Sequence, residues 1–593
     1  MFDIPPDSSV SSRTRSIKPH IPPTSLPRDN PTTGDISHLI PKVFATKRIA
    51  RTDANPTLTS ARRDEATAAK WQPAIDSELK LLRDLDVADV MKQSDITPEI
   101  RRQIIMTKMD LKTKFFANGD VNKLKARLVV LGMLEKRGAD EQNYSPTADP
   151  KTVIFALAAQ HDLYIKGIDI FGAFITASTE GTSDVYVQLP NGLADDADGL
   201  APVWKLKRAL YGLRRSPRLF YTQLRAFLLR QGYTASSLDD CLFYKTTPDD
   251  KKIFFCAHVD DFAIASTHPD LIEELCTALK TEYIITESDS LEDFLGVHME
   301  RHDGRLYLCQ PGLIKRLISR ADLPEGDHHI LHNPMREDFN DDYQNDAEAC
   351  DPELYRSILG MLIYVLRSRP DIAYAVNRLA TRSICATTRD LDALKRVVAY
   401  LRCTAHFELV YSTNDCERSN AIARLHGYCD AAYLCHTDSK SHSGLAFHYG
   451  PLPTGAFFSQ SKKQTTVATS SCHAEVNAAF SATQHIKYFR ELLAELGYPQ
   501  VTPTELWVDN LSLITLATKF SGSTKNVKHF MMRVNYMIEQ VADGVIKLAY
   551  INTNENHSDT LTKPLGPGPF AKHTLTVLGP QRVKDAVVAP KVV

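Results

Sequence analysis

Residues 253–266 read IFFCAHVDDFAIAS, two apolar runs on either side of a polar break at His258, Val259, Asp260 and Asp261. Phe and Ile favour buried strands, so the segment predicts a tight β-hairpin with its carboxylates near the turn. Two neighbouring Asp in such surroundings need a physical reason. An ionised carboxylate without a partner is costly to bury, and repulsion between two of them adds to the cost. A divalent cation removes both problems, because hard oxygen ligands suit Mg²⁺. Solvation of both residues in an exposed turn is the alternative.

Composition narrows the class. The 593 residues are 43% hydrophobic and 24% charged, ordinary for soluble protein, with room for about three or four domains. A formal net charge of -2 excludes a global basic footprint, so any nucleic-acid binding must use local patches. The eleven Cys contain no CxxC pair, which argues against a zinc site or a disulfide framework and for reduced thiols. No apolar run reaches the roughly 18 residues of a membrane helix, and no signal-peptide core is present. The expectation is a soluble, intracellular chain without membrane partners.

Residues 1–62 are rich in Pro, Ser, Thr and Arg and read as a disordered linker. Order is expected from about Ala66, where Trp71, Ile75, Leu79 and Leu82 recur at helical spacing. The run 123–130 alternates like a strand, with Lys125 and Arg127 on one face. Such a face holds a phosphate chain or is simply solvated. A helix over 152–161 precedes a strand over 164–170 that carries Asp169, with Phe174 five residues on. After a short strand over 185–189, residues 205–218 pack six cations around the Tyr211-Gly212 turn. That density beside an aromatic suits a phosphate backbone and a stacked base, or an exposed basic face. A helix over 219–231 follows.

Helices are expected over 351–368, with Asp351 as cap and Pro352 at the first position, and over 388–404. Their apolar faces imply packing and no chemistry. From about Ala421 the pattern turns to strands at 424–430, 444–449 and 456–459. A helix over 471–496 carries Glu475 in its first turn, and a strand over 506–509 ends at Asp509. A helix over 527–542 and a strand over 545–551 precede Asp559. Asp430, Glu475, Asp509 and Asp559 thus fall at element ends, where caps and solvated charges are also common.

Six motifs in order carry a resemblance: KARLVVLG (125–132), NYSPTADPKTV (143–153), GIDIFGAF (167–174), LYGLRRSPRLFY (210–221), HVDD (258–261) and DFLGVHM (293–299). Together they resemble copia-type retrotransposon reverse transcriptase. YRSILGMLIYVLRSRPDIAYAV (355–376), SKKQTTVATSSCHAEV (461–476), VDNLSLI (508–514) and HSDTLTKPL (557–565) extend the likeness, the last three resembling the family's RNase H domain. Only the C-terminal part of such a polyprotein is matched, with no recognisable capsid, protease or integrase region upstream.

The resemblance implies an α+β multidomain chain: a right-hand polymerase of fingers, palm and thumb (63–325), a helical connection (326–420) and an α/β RNase H-like domain (421–565), then a flexible tail (566–593). It implies Asp169, Asp260 and Asp261 as the polymerase metal ligands, and Asp430, Glu475, Asp509 and Asp559 as those of RNase H. Each site would use two Mg²⁺ or Mn²⁺ ions. Phe174 would exclude a ribose 2′-hydroxyl, Lys125 and Arg127 would bind the triphosphate, and Tyr211, Gly212 and Arg214 would line the template and nucleotide pocket. The implied partners are RNA template, DNA primer, RNA–DNA hybrid and dNTPs. The implied compartment is cytoplasmic, in a virus-like particle, or nuclear.

Departures from the family pattern spare every implied metal ligand. They are His258 before Val-Asp-Asp, Ile170-Phe171-Gly172 after Asp169, Arg215 in the Tyr-Gly-Leu segment, Ala432 after Asp430 and His473 before Glu475. They leave open a degenerate copy that binds nucleic acid with little catalysis, or a host scaffold using the helical connection.

Overall fold

The structure is a computed structural model. It describes residues 56–62, 65–115, 121–135, 149–191, 193, 202–258, 261–288, 294–323, 330–339, 348–412, 423–519 and 530–582. Most of the expected linker and the Asn118-Gly119-Asp120 turn lie outside the described residues, as do Val259 and Asp260. The residues from Thr57 onward cluster as one unit.

Strands β1 (Ala88–Met91), β2 (Ile105–Phe115), β3 (Val121–Val130), β5 (Tyr186–Gln188) and β6 (Val203–Leu206) form the first sheet, in the order β1-β6-β5-β2-β3. The alternation read in 123–130 holds: Ala126, Leu128 and Val130 are buried, whereas Lys125 and Arg127 are not. The buried face packs with Trp71, Ile75 and Leu82 of the helix Glu65–Asp84.

The quoted hairpin sits in the second sheet. Strands β4 (Tyr164–Ile170), β7 (Thr234–Ala235), β8 (Leu242–Thr246), β9 (Lys252–His258), β10 (Asp261–Ser266) and β11 (Ile285–Ser288) take the order β11-β4-β10-β9-β8-β7. Its apolar runs are uninterrupted because both faces are covered. Phe254, Cys256, Ala263 and Ala265 enter one core with the helix Asp149–Gln160. Phe255, Ala257, Phe262 and Ile264 enter another, with the helices Ser216–Arg230 and Pro269–Leu279. Burying each Phe contributes about 2–3 kcal/mol.

A third sheet joins distant stretches of chain: β12 (His298–His302), β13 (Arg305–Cys309) and β14 (Leu409–Tyr411), in that order. The helices Pro352–Val365 and Thr388–Cys403 form where expected, the first capped by Asp351 and ending three residues early. Between them Arg369 is buried, its Nε 2.9 Å and Nη2 2.7 Å from Asp371, while Tyr400 Oη donates to Asp371 Oδ2 at 2.8 Å.

The last sheet runs β17 (Phe458–Lys463), β16 (His442–Tyr449), β15 (Leu425–Ala432), β18 (Thr504–Val508), β19 (Ile546–Tyr550). The first three strands are antiparallel, and β15, β18 and β19 are parallel. The helix Ser471–Glu495 makes the crossover from β17 to β18. The overall mixed α/β architecture is the one expected. Two expectations are corrected. The edge strand expected over 456–459 begins at Phe458 and runs to Lys463. The flexible tail contains the helix Pro567–Leu578, because Phe570, Val577 and Leu578 bury their side chains and Gln581 accepts from Glu408 N at 2.9 Å.

Arg369→Ala leaves Asp371 buried without its cation. The expected cost is about 3–5 kcal/mol, read as a lower urea midpoint by far-UV circular dichroism; an unchanged midpoint refutes this.

Candidate active sites

Antiparallel pairing places Asp169 of β4 directly opposite Asp261 of β10, and Asp261 opposite His258 of β9. Strand alternation explains the exposure: Ile168 and Ile170 point into the core, so Asp169 between them faces out, and Asp261 is half-buried. Opposed side chains on neighbouring strands lie about 5 Å apart at Cβ, so two carboxylates there repel unless a cation stands between them. Asp260, the third expected ligand, lies outside the described residues.

A second set of expected residues meets at Tyr211. Phe174, in the short helix Ala173–Thr176, meets Tyr211 edge to face with ring centroids 5.9 Å apart. The guanidinium of Arg127 lies 4.6 Å over the same Tyr211 ring. The turn is fastened to β3, where Val130 N donates to Tyr211 O at 2.8 Å. Gly212 has φ +90°, and a Cβ there would come within 2.2 Å of Val130 O, so the approach requires glycine. Lys125 lies opposite Lys112 on β2, and its charge acts on Glu78.

The basic density of 205–218 is largely compensated within the chain. Lys205 pairs with Asp184 at 2.7 Å, and Lys207 with Asp86 at 2.7 Å and Asp89 at 3.0 Å. Arg208 donates to Thr176 O at 2.8 Å. Arg215 donates from Nε to the buried Glu135 at 2.6 Å, which also accepts from Arg214 N at 2.8 Å. Sequence reasoning missed Glu78, which is buried and accepts from Leu128 N at 3.0 Å. Burial raises its carboxyl pKa, opposed by that hydrogen bond and by Arg127 and Lys125. The available signal was an acid on the apolar Trp71, Ile75, Leu82 face.

The second group is buried. Asp430 on β15, Glu475 in the helix Ser471–Glu495 and Asp509 just after β18 bring their oxygens within 4.8 Å of one another. Glu475 is the fifth helical residue, past the expected first turn. Asp559 comes from the 3₁₀ segment His557–Leu561, which lies close on the sheet: a Cβ on Gly444, opposite Asp430, would meet Ser558 O at 2.7 Å. Asn556 Nδ2 donates to Cys429 O at 3.1 Å, and Thr562 Oγ1 donates to Asp430 Oδ2. Sequence reasoning missed Thr562 and Lys563, whose Nζ lies 3.0 Å from Asp559 Oδ1.

Burial pushes the carboxyl pKa of Glu475 well up, with the charges of Asp430 and Asp509 adding to it. Burial and the Asp430 charge likewise raise Asp509 and Asp559. Glu475 Oε2 is buried without a hydrogen-bond partner. Several hard oxygens, mutual repulsion and an orphaned oxygen fit a divalent cation. His473 stacks on Phe530, 4.8 Å between centroids, and its Nδ1 accepts from Thr469 N at 3.1 Å. Its place in the local packing accounts for that departure without touching the acids.

Glu475→Gln removes a buried repelling charge. In EDTA its melting temperature is expected to rise by about 2 °C, while the Mg²⁺-induced stabilisation of the unsubstituted chain is lost. Equal Mg²⁺ shifts in both proteins, by differential scanning fluorimetry, refute the metal assignment.

Residues 96–335 match the family described as reverse transcriptase (RNA-dependent DNA polymerase). The chain is 28% identical over 534 residues to the retrovirus-related Pol polyprotein from transposon RE1 of Arabidopsis thaliana, covering 89% of this chain and 35% of the relative. It is 30% identical over 454 residues to that from transposon TNT 1-94 of Nicotiana tabacum, covering 74% and 33%. It therefore spans about a third of the length of these relatives. Among solved structures, the foamy viral protease-reverse transcriptase in complex with RNA/DNA hybrid aligns with a TM-score of 0.45 and 13% identity, over 89% of this chain and 56% of that one.

Proposed function

For a chain homologous over most of its length to Pol polyproteins of copia-type retrotransposons, we propose RNA-directed DNA polymerase activity joined to RNase H activity. The observation that carries the reading is the in-register pairing of Asp169 with Asp261 inside the span that matches reverse transcriptase. Asp169, Asp260 and Asp261 would hold divalent ions at the first site; Asp430, Glu475, Asp509 and Asp559 would hold them at the second. When bound, such ions polarise phosphate and lower the pKa of the attacking hydroxyl or water.

The remaining residues bind and orient. Lys125 and Arg127, on the less buried face of β3, meet the triphosphate of an incoming dNTP. Arg127 is held in place by its stack on Tyr211, and Tyr211 supports the ring of Phe174. A ribose 2′-hydroxyl would collide with that ring. RNA template, DNA primer and hybrid would be held by backbone and A-form shape, without sequence reading. The domain reading assigns 63–325 to the polymerase, 326–420 to the connection and 421–565 to RNase H.

A second reading, a copy that binds nucleic acid with little catalysis, draws on His258 directly opposite Asp261. Primer extension on an RNA template with Mg²⁺ separates the two. Extension is expected, and Asp169→Asn, Asp260→Ala and Asp261→Asn are each expected to reduce it to background; no extension by the unsubstituted chain sinks the polymerase reading. In the same protein Glu475→Gln should abolish hybrid cleavage and leave extension intact, and unchanged cleavage removes Glu475 from the site. Phe174→Val is expected to raise ribonucleotide incorporation about tenfold or more, read by single-nucleotide kinetics with dNTP against rNTP.

A further inference from the structure

The buried acid group already contains a cation of its own. Lys563 Nζ lies 3.0 Å from Asp559 Oδ1, and its side chain is 38% exposed. Its position is set by the segment that carries Asp559, since the two residues are four apart in the chain. That segment is pinned on both sides. Asn556 Nδ2 donates to Cys429 O at 3.1 Å, and Thr562 Oγ1 donates to Asp430 Oδ2. It seats closely against Gly444, where a Cβ would lie 2.7 Å from Thr562 Cγ2.

The group therefore has two unlike halves. Asp430, Glu475 and Asp509 keep donor oxygens within 4.8 Å of one another, and Glu475 Oε2 and Asp559 Oδ1 are both buried without a hydrogen-bond partner. Asp559 lies against Asp430 but outside the mutual spacing of the trio, and its Oδ1 faces the Lys563 ammonium at 3.0 Å. Three carboxylates converge on a divalent ion at the trio, whereas one beside Asp559 meets the like charge of Lys563.

We propose that Lys563 is a resident cation in the place of a second ion, so that the group takes one divalent ion at Asp430, Glu475 and Asp509 and admits another beside Asp559 only by displacing the ammonium. This rests on the metal reading of the proposed function and narrows it, replacing two equivalent ions by one tight and one contested. Lys563 acts through Asp559 and is a positioning residue.

The test counts ions rather than turnover. The full chain carrying Asp169→Asn, Asp260→Asn and Asp261→Asn, which silence the other acid group, is titrated with Mn²⁺ and followed by electron paramagnetic resonance. One tightly bound ion is expected, with a second at least about tenfold weaker. Adding Lys563→Met should tighten the second ion about tenfold or more and leave the first unchanged, whereas Lys563→Arg, which keeps the charge, should preserve the original order. Two ions of equal affinity, or a second ion indifferent to Lys563→Met, overturn the proposal and leave the metal reading standing. No bound ion, with Glu475→Gln giving the same trace, overturns the metal reading and the proposal together.

Discussion

The register of β10 between β4 and β9 depends on both faces of the sheet being buried. Phe254, Cys256, Ala263 and Ala265 fill one core, and Phe255, Ala257, Phe262 and Ile264 fill the other. A slip of one residue would exchange these sets between cores of different shape. Packing on two sides therefore locks the pairing that puts Asp169 opposite Asp261. The repulsion between those carboxylates is small beside the burial of three Phe side chains at about 2–3 kcal/mol each, so the scaffold tolerates the strain of its own site.

The two acid groups manage their charge differently. At the first, Asp169 is exposed and Asp261 half-buried, so water screens them. At the second, Asp430, Glu475 and Asp559 are buried, and screening falls to Thr562, Lys563 and the backbone. Low local dielectric strengthens repulsion and hydrogen bonds alike. That is why the second group relies on a pinned segment.

The two groups share a scaffold. The core under the hairpin continues into the last sheet, taking in Leu445, Phe447, Ile486 and Phe489. His161 stacks on Tyr498 at 4.2 Å, and Phe254 meets the same ring at 6.3 Å. Glu495, at the end of the helix that carries Glu475, accepts from Ser236 Oγ at 2.5 Å and Ser237 N at 3.0 Å. Rotation of one acid-bearing sheet against the other would open this joint core.

Local pattern was enough for the hairpin, for the strand Tyr164–Ile170 and for the helix capped by Asp351, because alternation, apolar runs and caps act over a few residues. It singled out Asp260 and Asp261 as carboxylates that need a cause, while the assignment of all seven acids came from the resemblance in motif order. It misread the C-terminal stretch as a tail, because Phe570 and Val577 find their partners only in distant chain. It read 205–218 as a run suited to a phosphate backbone and a stacked base, or as an exposed basic face, because Asp184, Asp86 and Glu135 come from elsewhere to meet those cations. Residue types and short spacings thus determined the elements, and the order of motifs along the chain named the candidate acids. Tertiary structure alone decided which acids meet, which are buried, and that Lys563 stands among them, since burial and charge pairing are properties of distance in space and not along the chain.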